Sequence, residues 1–339
     1  LTVAATAAAS PPEPGARPRV LVSRLRYVGD AILSLPLLGA LRAALPAAEI
    51  HYMAEPATLE VLAGQPEIDV RWPVRHGAGA ALALAARLRA RRFDAVIDLF
   101  CNPRSALLVA ASGAPVRIGE ARRGRRYAYT SARRLVPGRS AIDQHLDALR
   151  GLGLVPPPAS RPVLHLAASE RAAGAAAWAG VGGAGVLLHV GASHPDKEWP
   201  HAAAFATLLA AGGIPAALST APARPQPSLA AARASGLPLF AAMPLREFLG
   251  VVAAATAVVA VDGAVVHAAV ALGRPTVALF GPTDAGVWFP YERFGAFRVL
   301  RAAAACGPCS GRPGAHRCMA ALAPGAVRTA LAGVSGRTA

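Results

Sequence analysis

Cysteine is scarce in this chain. Cys101, Cys306, Cys309 and Cys318 are the four in 339 residues, too few for a disulfide-built fold, and they leave the redox compartment open. Lysine is scarcer: of 35 basic residues only Lys197 is a lysine, and the other 34 are arginine. Acidic residues number 19, so the formal net charge is +16. That excess favours an anionic partner such as nucleic acid, anionic lipid or a phosphorylated sugar. Residues 1–160 carry 21 basic and 12 acidic side chains and residues 161–339 carry 14 and 7, which excludes a detachable basic tail as the source. No Gly-X-Y period, heptad run or longer internal repeat is present, which excludes collagen-like, coiled-coil and solenoid architectures. There is no unbroken apolar span either. The most apolar window, Val251 to Gly273, is interrupted by Asp262, Gly263 and His267 and reads as strand, turn and helix. The GxGxxG fingerprint, the phosphate loop ending in Gly-Lys-Ser/Thr and the GxSxG elbow are all missing.

What is present supports a sizeable fold. Hydrophobic residues make up 54% of the sequence, and the length suits two domains or one large one. The first 18 residues, rich in alanine and proline, read as a flexible leader; without a basic start and a long apolar core, no signal peptide is expected. Arg19 to Leu25 then reads as a buried strand and Ala31 to Leu45 as a helix, which Pro36 either kinks or restarts. Further strands are expected at His51–Met53, Ala95–Phe100 and Val116–Gly119, with a helix at Gly79–Arg89. The prolines at 156 to 158 mark a linker over Val155–Ser160. Beyond it, strands at Val186–Val190, Ala216–Leu218, Ala257–Val261 and Thr276–Phe280 alternate with helices at His201–Ala211, Leu245–Ala254 and Ala264–Leu272. Two such αβ halves argue for two open parallel sheets facing one another across a cleft, with ligands beyond the carboxyl ends of the strands.

Four segments at such strand ends carry chemistry. Gly29-Asp30 follows the first strand. Glycine permits a tight turn there, and Asp30 either caps the next helix or acts as a general base on an acceptor hydroxyl; Arg24 and Arg26 nearby suit an anionic ligand. The run from His189 to Pro200 contains Gly191, Ser193 and Lys197, which could hold a diphosphate through hydroxyl, backbone N–H and ammonium groups. The competing reading is a surface turn before a helix started by Pro200 and anchored by Trp199. An isolated lysine in an arginine chain suggests a place that needs a compact ammonium, although chance retention explains it too. Asp262, Gly263 and Ala264 open a helix whose N-terminus can accept phosphate, and His267 faces either that ligand or the core. Gly281, Pro282 and Thr283 form a loop after a strand, a weak phosphate signal raised only by its position.

Two other features have open readings. Cys306-Gly-Pro-Cys309, with Cys318 and His316, has the first spacing of a zinc knuckle but one thiolate too few. Arg122, Arg123, Arg125 and Arg126, separated by Tyr127 and Tyr129 from Arg133 and Arg134, fit a solvated loop, an RNA-binding surface with stacking aromatics, or a site for an acceptor bearing phosphates or carboxylates.

Taken in order, these pieces resemble the bacterial heptosyltransferase family, glycosyltransferase family 9, typified by the ADP-heptose:lipopolysaccharide heptosyltransferases. The resemblance runs from Arg19 to about Ala323. It rests on Arg24/Gly29-Asp30 with Pro36, Gly191 with Lys197-Glu198-Trp199-Pro200, Asp262 with His267, Ala271 to Thr276, Phe280 to Thr283, and the Cys306/Cys309/Cys318-Met319 tail. It implies a GT-B fold of two Rossmann-like domains, with residues 19–158 receiving the acceptor and 159–330 holding the nucleotide-sugar donor, and an inverting reaction that needs no metal or cofactor. By the same resemblance Asp30 is the base and Lys197 and Ser193 contact donor phosphates or sugar. Asp262, Gly263, Ala264, His267 and the Gly281-Pro282-Thr283 loop shape the donor pocket, while Arg24, Arg26, Gly29 and the Arg122 to Arg126 cluster meet an anionic lipopolysaccharide core. The implied enzyme is cytoplasmic, touches the membrane at most peripherally and binds no nucleic acid. The chain departs from the family at Gly263, Ala264 and Val266, where two hydroxyls are lost, and at Thr220 to Arg224, where an acidic residue is lost. Both departures suit an alternative, a secondary-metabolite transferase acting on a small molecule. An RNA-binding or scaffold protein is the rival outside enzymology.

Overall fold

The computed structural model describes residues 17–192, 194–220, 225–302 and 317–336. The leader before residue 17, Ser193, the stretch 221–224 and Cys306, Cys309 and His316 lie outside the described residues. The chain divides between Ser160 and Arg161 into two compact units.

The first unit runs β1 (Arg19–Ser23), α1 (Val28–Leu33), α2 (Leu35–Ala44), β2 (Glu49–Ala54), α3 (Pro56–Val61), β3 (Val70–Pro73), α4 (Ala78–Arg91), β4 (Ala95–Asp98), α5 (Pro103–Ser112), β5 (Val116–Glu120), β6 (Ser131–Arg133) and α6 (Ala141–Leu146). The second runs α7 (Ala168–Ala179), β7 (Val186–His189), α8 (Ala202–Ala211), β8 (Ala216–Ser219), α9 (Gln226–Ser235), β9 (Leu239–Phe240), α10 (Leu245–Ala254), β10 (Ala257–Val261), α11 (Ala264–Ala271), β11 (Thr276–Phe280), α12 (Ala285–Trp288), β12 (Phe297–Arg301), α13 (Arg317–Ala320) and α14 (Pro324–Ser335). The sheet orders are β3-β2-β1-β4-β5-β6 and β12-β11-β10-β7-β8-β9, and the strand pairs are parallel. Each is a doubly wound, Rossmann-like sheet. Its central strands are buried on both faces and are therefore apolar throughout, as in β10 and β11.

In such sheets the crevice for ligands opens where the strand order reverses. That point lies between β1 and β4 in the first unit and between β7 and β10 in the second. Asp30 and Lys197 both stand on the segment that leaves the first strand at this point.

Several boundaries differ from the sequence reading for local reasons. The strand expected to reach Leu25 ends at Ser23, the one expected to reach Phe100 ends at Asp98, and the one expected to reach Val190 ends at His189. In each case the chain leaves the sheet as it begins its turn. The helix expected over Ala31–Leu45 is two helices that break at Ser34, with Pro36 in the first turn of α2, where its missing N–H costs nothing. Pro200 does not start α8, which begins at Ala202. Trp199 does anchor this segment: it is buried, and its Nε1 donates to Leu322 O at 2.8 Å. The loop that carries Lys197 is thus tied to the turn between α13 and α14. The Val251–Gly273 window is the end of α10, β10, a turn and α11. Among the described residues no helix is long and apolar enough to cross a membrane.

Candidate active site

In the first unit the turn after β1 is made without a glycine. Tyr27 takes φ 71°, while Gly29 is a buried helical residue of α1. Tyr27 is the N-cap and its side chain makes no cap bond, so Asp30 is not the cap. Its carboxylate instead accepts a hydrogen bond from Arg24 Nη2. That ion pair is secluded, with side-chain exposures of 11% for Arg24 and 15% for Asp30. Arg24 is held in turn by the neighbouring strand end: Nη1 donates to Leu99 O at 2.5 Å, and the guanidinium carbon lies 5.1 Å from the centre of the Phe100 ring. Asp30 Oδ1 has no hydrogen bond among the described residues. One oxygen is therefore clamped by Arg24, and the other carries no hydrogen bond.

The turn after β4 is strained in the same way, with Cys101 at φ 51°. Asp98 organises it. Its Oδ1 accepts from Phe100 N at 3.0 Å and Cys101 N at 3.1 Å, and its Oδ2 from the Tyr129 hydroxyl at 2.9 Å. Burial raises the Asp98 pKa against these bonds. Burial also pushes the Cys101 thiol up to about 12, helped by the Asp98 charge, so this cysteine is a packed thiol rather than a nucleophile. A capping box between Asn102 and Ser105 then starts α5. Non-glycine residues at positive φ cost on the order of 1–3 kcal/mol each. Two of them sit at the two strand ends flanking the reversal point, with the Tyr27 and Phe100 rings in edge contact at 6.2 Å.

The other arginines expected to meet a ligand are placed unequally. Arg26 is bound to Glu55 at 2.9 Å, which also receives Arg104 at 3.3 Å. Arg125 donates to Cys101 O at 2.6 Å. Arg122 pairs with Glu120. Arg122, Arg123 and Arg126, with Arg133 and Arg134, line a pocket of about 750 Å³ together with Glu120. Arg133 is half-buried, its pKa lowered chiefly by desolvation, and its Nε has no hydrogen-bond partner. This concave, cationic surface is suited to an anion.

In the second unit, Lys197 and Asp262 meet across the reversal point. The ammonium lies 2.7 Å from Asp262 Oδ2, and Asp262 is buried while Lys197 is partly exposed. Gly191 is buried in the same loop. The pair is an ion pair outside hydrogen-bond geometry, so the three donors of the ammonium keep capacity for an anionic ligand. Gly263, with extended backbone, is the N-cap of α11 and Ala264 its first residue, so the backbone donors of this turn meet no capping side chain. His267 is buried in α11, and its Nδ1 is 2.9 Å from the Tyr291 hydroxyl. Gly281 follows β11, where a Cβ would come within 2.9 Å of Met319. That glycine lets the loop pack closely against the Met319 side chain of α13. Pro282 and Thr283 continue the loop, half-buried, and Asp284 caps α12 through Gly286 N at 2.9 Å. Cys318 is buried, and no group of three metal-ligating side chains occurs among the described residues.

Sequence reasoning singled out Arg24 and Asp30 but not the residues that hold them: Asp98, Leu99, Phe100 and Tyr129. An aspartate at the end of a strand, followed by an Asn-Pro helix start, was the available signal. Arg133 and Arg134 were seen only as a separate group, because their approach to Arg122 depends on the pairing of β5 with β6.

Two Rossmann-like units with polar clusters at their reversal points are the architecture of GT-B glycosyltransferases. The chain belongs to glycosyltransferase family 9 (heptosyltransferase), whose profile matches residues 81–319; it is a glycosyltransferase. It is 26% identical to lipopolysaccharide heptosyltransferase 3 of Escherichia coli over 288 residues, which is 79% of this chain and 85% of that protein. Similar solved structures include the E. coli ADP-heptose LPS heptosyltransferase II, with a TM-score of 0.79, 24% identity, and coverage of 94% of this chain and 98% of that one. A family 9 glycosyltransferase of Veillonella parvula gives 0.76 at 23% identity, covering 84% and 85%. The E. coli heptosyltransferase WaaC with ADP gives 0.73 at 23% identity, covering 92% and 98%.

Proposed function

We propose that the protein moves a heptose from ADP-heptose to an anionic acceptor of the lipopolysaccharide core, with inversion. The reading is carried by the Asp30 carboxylate, clamped by Arg24 through one oxygen and open at the other. Asp30 takes the proton from the acceptor hydroxyl as that oxygen bonds to the anomeric carbon. The bond from that carbon to the diphosphate breaks, and its electron pair leaves with ADP. Lys197, paired with Asp262, and the backbone N–H groups at the start of α11 stabilise the negative charge that grows there. The first unit receives the acceptor and the second the donor. The arginine-lined pocket takes the acceptor's anionic groups, with Gly29 and Arg26 near the base.

The names of the relatives support the donor: the heptosyltransferase II similar to this chain is described as an ADP-heptose enzyme. The chemistry here is compatible, since Gly263, Ala264 and Val266 offer no hydroxyls and leave the phosphates to Lys197, Ser193, the loop at Gly281 to Thr283 and backbone donors. The same loss of hydroxyls favours one other reading, a heptosyltransferase acting on a small molecule of secondary metabolism. Exposed Tyr127, Leu135 and Val136, among the arginines of residues 122–134, support peripheral contact with an anionic membrane from the cytoplasmic side.

The test is incubation with ADP-heptose and Kdo-terminated lipid A, followed by mass spectrometry. The expected product is the acceptor plus one heptose, with ADP released. Transfer that requires a uridine-diphosphate sugar, or that occurs only to a small-molecule acceptor, would contradict the proposal.

A further inference from the structure

Arg24 has the burial of a structural residue and the contacts of a positioning one. Its guanidinium touches three fixed groups: the Asp30 carboxylate, Leu99 O at 2.5 Å and the face of Phe100 at 5.1 Å. Leu99 and Phe100 are not themselves mobile supports. They belong to the strained turn that Asp98 holds through Phe100 N and Cys101 N and that the Tyr129 hydroxyl braces from β5–β6. Leu99 N also donates to Ser23 O at 2.8 Å, which ties this turn to the end of β1. The cost of the arrangement is visible. Arg24 Nε is buried without a hydrogen-bond partner, and a buried unsatisfied donor of a charged group is expensive. Stability alone does not favour keeping this ion pair; apolar residues at both positions would fill the site without that penalty.

We infer that Arg24 is a positioning residue for the transfer reaction: it holds one oxygen of Asp30 so that the other faces the acceptor hydroxyl. This rests on the reading of Asp30 as the base. It differs from the sequence-based expectation that Arg24 binds an anionic acceptor, because its charged donors are directed to Asp30 and to the Leu99 carbonyl. Asp30 sits on α1, a helix with no side-chain cap, so the carboxylate has no other tether on its own element. Misplacing a reacting group by about 1 Å costs about 100-fold in rate.

The experiment is steady-state kinetics with ADP-heptose and Kdo-terminated lipid A on Arg24→Ala, Arg24→Lys, Phe100→Leu, Asp30→Asn and the double variant Arg24→Ala/Asp30→Asn, with ADP binding by calorimetry. Arg24→Ala is expected to lower kcat about 100-fold with acceptor KM and ADP affinity within about twofold. Arg24→Lys should recover part of that loss. In the Asp30→Asn background, removal of Arg24 should cost little more, because the two act as a unit. Phe100→Leu, which keeps the charge and removes its support, should lower kcat by several-fold, and it provides the test if Arg24→Ala does not fold. A rise in acceptor KM at unchanged kcat would make Arg24 an acceptor contact and overturn the inference. So would a full additive loss in the double variant, or an unchanged kcat in Phe100→Leu. If Asp30→Asn keeps full turnover, it is the base assignment that fails; if Asp30→Asn loses turnover while Arg24→Ala does not, only the positioning role fails.

Discussion

At the scale of single residues, the second unit offers one cation whose chemistry is specific. Lys197 is the single lysine among 35 basic residues, and that rarity made it legible in sequence. Its partner was not legible, since Lys197 and Asp262 are 65 positions apart and meet only because β7 pairs with β10. Replacing Lys197 by alanine should weaken ADP binding by at least about tenfold, equivalent to about 1.4 kcal/mol. Arginine should restore it incompletely, because a planar fork differs from an ammonium beside a buried carboxylate. Calorimetric titration with ADP measures both, and unchanged affinity in the alanine variant would remove Lys197 from the donor site. His267 is legible only in part: its position a turn into a helix permits a ligand-facing or a core-facing side chain, and its contact with the Tyr291 hydroxyl at 2.9 Å depends on a residue 24 positions away.

Among elements, the central strands and the helices between them were readable because both faces of a parallel strand are apolar and the intervening periodicity is helical. The edge strands were not: β9 has two residues, and β3 reads Val-Arg-Trp-Pro, too short and too mixed to show a period. Helix contacts were equally hidden. In α7, a Cβ on Gly174 would come within 2.0 Å of the Gly250 backbone of α10, so the two helices touch at their glycines. Trp178 Nε1 donates to Val251 O at 2.9 Å, and the Arg246 guanidinium clasps Glu170 at 2.6 Å on the same seam. Gly174→Ala should therefore destabilise the second unit by about 1–3 kcal/mol or more, as overpacking does. A thermal melt would show this as a lower transition temperature, and a melt identical to wild type would contradict so close a seam.

For the whole molecule, buried histidines tie stability to pH: burial lowers the pKa of His51 and of two more. His189, against Ser219 Oγ at 2.9 Å, has its pKa pushed down to about 4 by burial. His145, against Leu33 O at 3.1 Å, is pushed down to about 3 by burial and by the Arg24 charge. Both are neutral in the folded protein at pH 6, where the unfolded chain already takes up protons, so their contribution is complete above about pH 6.5 and is lost as pH falls toward 4. For His189 the loss is on the order of 3 kcal/mol when complete. The lowered pKa of Glu170 beside Arg246 acts in the same direction at lower pH and the raised pKa of Asp98 in the opposite one, so the comparison with His189→Gln isolates the share of that histidine. Transition temperatures should fall from about pH 6.5 to 5, and His189→Gln should flatten the fall; a flat wild-type profile would contradict the neutral buried state.

The account as a whole depends on the open oxygen of Asp30. Its most direct test is single-turnover transfer from ADP-heptose to Kdo-terminated lipid A by Asp30→Asn, with ADP affinity measured on the same preparation. The expected result is a transfer rate lower by at least about 100-fold, within the reach of general-base catalysis, with ADP bound as tightly as by the wild-type protein. An undiminished transfer rate, or a loss explained wholly by weaker ADP binding, would contradict it.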